Sequence, residues 1–205
     1  MKKIILASNN PGKVTEFKQM LADYDVEVLS LIDINYPEDI EETGTTFIQN
    51  ARIKAQAIAA QHSDAIVVAD DSGLEVDALN GEPGVYSARY AGLKATADAN
   101  IDKLLVSLQL VEPEKRSARF VCVLVVLNAN QEYVARGTCE GQITTVRRGN
   151  AGFGYDPIFY VPELKKTMAE MDDDEKNAIS HRGQAFTQLL PILTNQLQIP
   201  KLPHR

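Results

Sequence analysis

The stretch that most restricts how this chain can fold is residues 66–76, which read IVVADDSGLEV. An apolar run at residues 65–69 stops abruptly at two adjacent carboxylates, Asp70 and Asp71, followed by Ser72 and Gly73. Five apolar residues with two valines suit a strand covered on both faces, as in a parallel or mixed sheet. Carboxylates do not belong inside such a strand. The sequence therefore places them at its carboxyl edge, where open α/β sheets gather their ligands. Successive strand side chains point to opposite faces, so Asp70 and Asp71 are expected to serve different partners. Ser72 and Gly73 are expected to turn the backbone sharply beside whatever binds. The competing reading is a strand-end turn whose acids only accept backbone hydrogen bonds.

The rest of the chain narrows the class. With 205 residues it has room for one large domain or two small lobes. A net charge of −7 argues against broad attraction to nucleic acid or to an anionic membrane. An anionic substrate would then need a local cationic pocket or a metal. Cys122 and Cys139 lack metal-ligand spacing and read as reduced core or strand residues. MKKIILASNN has only four apolar residues before polar ones, too few for a signal peptide. The longest apolar run, residues 120–127, is far short of a membrane span. The expectation is a soluble, cytoplasmic protein with no nucleic-acid or membrane partner.

Residues 3–7 read as a short strand entering SNNPGK, that is Ser8, Asn9, Asn10, Pro11, Gly12 and Lys13. A helix follows, with Val14, Phe17 and Leu21 on one face, Pro11 in its first turn and Asn9 or Asn10 as cap. A strand feeding such a turn is a ready anion site, because unpaired amides point outward there, and Lys13 adds a mobile charge. It is not a Walker A loop, because Ala7 and Val14 stand where Gly and Ser or Thr are required. Residues 26–31 suggest a second strand. An acidic stretch, residues 33–45 with Asp39, Glu41 and Glu42, precedes a helix to about residue 60 bearing Phe47, Ala51, Ala55 and Ile58. Such acids usually face water or the helix dipole. Glu42 matters only if the fold brings it to Asp71, where two carboxylates can share a hard cation.

Residues 80–84, NGEPG, form a turn, and Thr96 is a cap for a helix bearing Ile101, Leu104 and Leu108. Residues 120–127 and 133–146 read as a long hairpin, a surface for a second lobe or a second copy. GNAGFGYDPIFY, residues 149–160, offers Phe153, Tyr155 and Asp156 as an aromatic face and a carboxylate for a flat ligand. A glycine-rich turn anchoring two strands is the alternative. Asp172 and Glu175 make a capping box, after which Lys176, His181 and Arg182 cluster. His204 lies in the tail, and Pro191 is expected to kink or end the last helix.

SNNPGK, EETG at residues 41–44, ADDSG at 69–73, FGYDP at 153–157 and SHRG at 180–183 occur in that order. Together they closely resemble the inosine triphosphate pyrophosphatase family, over residues 3 to about 190. Each motif is weak alone; the ordered set is specific. The resemblance implies an α/β fold, a mixed sheet with flanking helices, as one domain of two lobes around a central nucleotide-binding cleft, usually a homodimer. It implies hydrolysis of non-standard purine nucleoside triphosphates (ITP, dITP, XTP) to monophosphate and pyrophosphate with Mg²⁺. By that resemblance Ser8–Lys13 lie along the triphosphate, Glu42 and Asp71 hold the metal, and Asp71 is the proton acceptor. Ser72, Phe153, Gly154, Tyr155, Asp156, Lys176, His181 and Arg182 match nucleotide-binding positions. Arg182 and Lys176 can only donate hydrogen bonds and His181 can donate through one nitrogen, so aimed at position 6 of a purine they favour an oxo over an amino group. The Maf-type nucleotide pyrophosphatases are the nearest alternative, disfavoured because their turn carries an SPRR-like run where this chain has NPGK. A nucleotide sensor without catalysis gives no reason for Glu42 beside Asp71.

Overall fold

In a computed structural model that describes residues 2–37 and 40–203, seven strands pair in the order β2-β1-β3-β4-β5-β6-β7. The strands are β1 (Lys2–Leu6), β2 (Val26–Ser30), β3 (Ile66–Val76), β4 (Ser117–Asn128), β5 (Gln131–Ile143), β6 (Phe159–Val161) and β7 (Lys166–Thr167). The α-helices are α1 (Pro11–Met20), α2 (Phe47–Ala59), α3 (Ala97–Ser107), α4 (Asp173–Ile179) and α5 (His181–Pro191). β1 runs parallel to both β2 and β3, whereas β6 is antiparallel to β5 and to β7, so the sheet is mixed as expected. Asp39 and His204 lie outside the described residues. Among the described residues no helix is long and apolar enough to cross a membrane.

Local chemistry sets the helix ends. The Asn10 side chain accepts from the Lys13 amide with Pro11 at the first helical position, Thr46 caps α2 and Thr96 caps α3. Asp172 and Glu175 form the reciprocal box that starts α4. Each such cap is worth about 1 kcal/mol. Pro191 closes α5, and a single wider turn, Ile192–Gln196, follows it. Such wide turns recur where a helix ladder is interrupted.

The chain divides into two compact units. The first comprises the residues up to Asp71, Cys122–Gly137 and those from Arg182 onward. Its core gathers Ile4, Leu6, Phe17, Leu21, Val68, Leu124 and Val126 with Phe186, Leu189 and Leu193 of the C-terminal helix region. Phe17 and Phe186 meet edge to face, with centroids 5.7 Å apart. The second comprises Ser72–Val121 and Thr138–His181, around Leu74, Ile101, Leu104, Phe120, Ile158 and Phe159.

One expectation is corrected here. β3 does not stop at the acids: it runs from Ile66 to Val76, and Asp70, Asp71, Ser72 and Gly73 are all strand. Its pairing with β1 reaches only Leu6↔Val68, so the acids lie just past the carboxyl end of β1 although not of their own strand. The hairpin also leaves little uncovered. Val121–Val126 are buried within the chain, and Val134 and Val146 are the large apolar residues that its two arms and their extension leave exposed. The apolar run of the hairpin is thus covered within the chain.

Candidate active site

In the first unit, charged side chains converge on the two acids of β3. Asp71 is buried, and its Oδ1 accepts from Lys54 Nζ at 3.2 Å. The same ammonium donates to Glu42 Oε1 at 2.5 Å, so one cation bridges the two carboxylates. Sequence reading paired Glu42 with Asp71 but missed Lys54. The available signal was a lysine on the apolar stripe of α2, among the buried Ala51, Ala55 and Ile58. Glu42 is held close by its own loop. The Gly44 amide donates to Asn50 Oδ1 at 2.8 Å, and a side chain at Gly44 would come within 2.6 Å of that oxygen. Only glycine allows this approach.

Asp71 Oδ2 is buried with no hydrogen-bond partner among the described residues. Burial raises the Asp71 pKa, with Glu42 adding to the rise, and Lys54 and Lys13 offset this only in part. Lys54 is held above the ordinary lysine value, burial opposing and Asp71 and Glu42 prevailing. Such a carboxyl is a better base than a free aspartate and keeps an unused lone pair.

Asp70 behaves oppositely. Its Oδ1 accepts from Lys13 Nζ at 2.5 Å, and its Oδ2 from Arg182 Nε at 2.7 Å and the Cys122 thiol at 3.3 Å. Burial would raise its pKa, but Arg182 and Lys13 hold it well below the carboxylate range. Arg182 Nη1 also donates to Glu16 Oε2 at 2.5 Å. Three cations thus face four carboxylates in this unit, and a polyanion entering there needs further positive charge.

The SNNPGK turn is more self-satisfied than expected. Ser8 Oγ accepts from the Asn10 amide at 3.1 Å, Asn10 Oδ1 from the Lys13 amide at 3.2 Å, and Pro11 has no N–H. Its strongest anion-binding group is the Lys13 ammonium. Asn9, Asn10 and Pro11 are exposed, Gly12 partly so.

The second unit holds the other expected residues. Asp156 Oδ2 accepts from the Phe153 amide at 2.8 Å and from Lys176 Nζ at 2.8 Å. Gly152, at φ +75°, leaves the space that this carboxylate occupies. Lys176 Nζ lies 4.7 Å from the Phe153 ring centroid. His181 stacks on Phe120 at 4.7 Å and 17°, and Phe120 packs on Phe159. Sequence reading missed Phe120, which looked like any core aromatic. Ser72 and Gly154 are half-buried.

Two roles do not follow from this geometry. Tyr155 is not an open aromatic face: it is buried, its hydroxyl donates to the Ser87 carbonyl at 2.8 Å, and burial raises its pKa. Arg182 is 2% exposed and engaged by Asp70 and Glu16, so the expectation that it donates to a base loses its support. His181 and Arg182 are adjacent at the start of α5, but successive helical residues diverge by about 100°.

Comparison with known proteins agrees with the motif set. A family model described as the Ham1 family matches residues 4–192. A Bacillus anthracis protein named dITP/XTP pyrophosphatase is 55% identical over 192 residues, covering 92% of this chain and 95% of that one. A Clostridium perfringens protein of the same name is 52% identical, covering 92% and 96%. The Staphylococcus aureus Ham1 protein has a similar structure, with a TM-score of 0.84 at 46% identity over 95% of this chain and all of that one.

Proposed function

The chain belongs to the Ham1 family, and we propose that it hydrolyses non-standard purine nucleoside triphosphates, dITP, ITP and XTP, to monophosphate and pyrophosphate. The observation that carries this reading is the pair Glu42 and Asp71 bridged by Lys54, with Asp71 Oδ2 buried and unpartnered.

A divalent ion fits these residues. Carboxylate oxygens suit a hard cation, and Mg²⁺ is commonly held by one or two carboxylates together with substrate phosphate and water. No group of three or more His, Cys, Asp or Glu suited to a metal occurs among the described residues, in keeping with that sparse mode. Glu42 and Asp71 would hold the ion. Bound there, Mg²⁺ would offset phosphate charge and acidify water. Asp71 takes the proton of the attacking water on Oδ2. Water adds across the anhydride between the α- and β-phosphates, and pyrophosphate leaves. Lys13 meets the phosphates, and Lys54 keeps Asp71 and Glu42 together as charge shifts.

Base recognition is assigned to the second unit. Phe153 offers the purine an aromatic face, and Lys176 can only donate hydrogen bonds, as can one nitrogen of His181. Such donors accept the 6-oxo group of hypoxanthine or xanthine and oppose the 6-amino group of adenine. A mispaired buried donor costs about 1–3 kcal/mol. We therefore expect kcat/KM for ITP to exceed that for ATP by at least about tenfold to a hundredfold. Pyrophosphate release across a nucleotide panel, with Mg²⁺ and with EDTA, tests both halves. Equal cleavage of ATP, or full activity in EDTA, would overturn them. A homodimer and a cytoplasmic location rest on the family alone, and a monomer mass by light scattering at micromolar concentration would remove the first.

A further inference from the structure

The reaction just described uses Asp71 and leaves its neighbour without a task. Asp70 has a side chain only 1% exposed, so it is poorly placed to touch substrate. It is nonetheless the hub of a chain of contacts: Lys13 on Oδ1, Arg182 and the Cys122 thiol on Oδ2, and Glu16 behind Arg182. Both ends of that chain lie on α1, since Lys13 and Glu16 are three residues apart there and so are neighbours on its surface. Lys13 itself keeps 15% of its side chain exposed. An ammonium has three protons, and the bond to Asp70 uses one of them.

We propose that Asp70 is a positioning residue, which holds the Lys13 ammonium ready for the anionic tail of the substrate while Arg182 and Glu16 fix Asp70 in place. The assignment rests on the reading of the chain as a triphosphate hydrolase. A lysine on an exposed turn must give up the freedom of a four-carbon stem when it binds, whereas one already held by a carboxylate gave it up on folding. Because Arg182 stays on Asp70 Oδ2, the carboxylate remains neutralised when Lys13 also engages phosphate. Two other roles differ in sign or in coupling. A carboxylate that competed with phosphate for Lys13 would weaken substrate binding. One that only filled the core would act independently of Lys13.

A double-mutant cycle on inorganic pyrophosphate, measured by titration calorimetry with the full chain, separates them. Asp70→Asn should weaken pyrophosphate binding by about fivefold to tenfold. It should raise KM for ITP by a similar factor and leave kcat within about threefold, the signature of lost uniform binding. In a Lys13→Met background the same Asp70→Asn change should have no further effect. Tighter pyrophosphate binding by Asp70→Asn, or the full loss persisting without Lys13, overturns the proposal. If Asp70→Asn does not fold, Glu16→Gln replaces it: a smaller weakening that vanishes with Lys13→Met supports the proposal, and one that persists refutes it. Pyrophosphate binding needs no turnover. A wild type that binds pyrophosphate yet cleaves no triphosphate would therefore sink the functional reading and leave the cycle to decide on Asp70.

Discussion

Asp71→Asn should lose about 10²-fold or more in kcat, the scale of a general base, while still binding nucleotide. The substitution keeps the size of the side chain and removes the carboxylate charge that takes the proton and would help hold the divalent ion, while Glu42 and the substrate phosphates remain to bind it. Lys54 retains Glu42 at 2.5 Å, so the local ion pairing survives. The variant also no longer buries a charge that its surroundings disfavour, since burial is the leading cause of the raised Asp71 pKa. Its melting temperature should therefore stay within a few degrees of wild type, about 1 kcal/mol for a chain of this size. The pH dependence carries the sign. A base works when deprotonated, so the wild-type rate should climb with pH through the Asp71 pKa. Burial and Glu42 raise the Asp71 carboxyl in the metal-free site, and a divalent ion held beside it would draw that limb back down. In the Asn variant the residual rate should lack that limb. Pyrophosphate release measured from pH 4 upward gives both results. A variant within tenfold of wild type, or release of inorganic phosphate in place of pyrophosphate, would sink the assignment.

What the sequence made legible were features determined within a few residues. Asn9 or Asn10 before Pro11, Thr96 and the Asp172–Glu175 pair are caps whose donors lie within three residues, and Asn10, Thr96 and the pair form them. The turn at Ala129, with φ +50°, separates two strands that the sequence reads as a hairpin. Hidden from it was whatever depends on partners far along the chain. β3 was expected to end at Asp70 because carboxylates are costly inside a sheet. It continues because Lys13 is 57 residues earlier and Arg182 is 112 residues later, and their charges remove that cost. Glu16 beside Phe17 gave no sign that it would be buried against Arg182. In the aromatic loop the Asp156 carboxylate is taken up by the Phe153 amide and Lys176. Which of Phe153 and Tyr155 turns inward was not legible, because that depends on the Ser87 carbonyl waiting in the core.

Arg182→Met should be the most destabilising single change in the first unit. The guanidinium is 2% exposed and holds two carboxylates, Asp70 Oδ2 at 2.7 Å and Glu16 Oε2 at 2.5 Å. Removing one partner of a buried pair leaves an uncompensated charge, which costs about 3–5 kcal/mol. Lys13 can still serve Asp70, but Glu16 loses a charged donor. Against a total stability of about 5–15 kcal/mol that loss is large, and it corresponds to a fall in melting temperature on the order of 10 °C. Arg52→Met is the matched control. It removes an equally well-formed pair with Glu132, at 2.7 Å, from an exposed position, and should cost about 1 kcal/mol or less. The pH dependence distinguishes charge from packing. Arg182 and Lys13 overcome burial to depress the Asp70 pKa, so the wild-type contribution is complete above the unfolded carboxylate value of about 4 and is lost as pH falls through the lower folded value. Without Arg182 the Asp70 carboxyl takes its proton at higher pH and no longer needs a cation. The stability gap between wild type and Arg182→Met should therefore narrow steadily below about pH 5. Urea unfolding of the three proteins at neutral and acid pH measures it. A gap no larger than that of Arg52→Met, or one that widens in acid, would mean that Arg182 acts by filling space and that the buried charges on β3 are stabilised by something else.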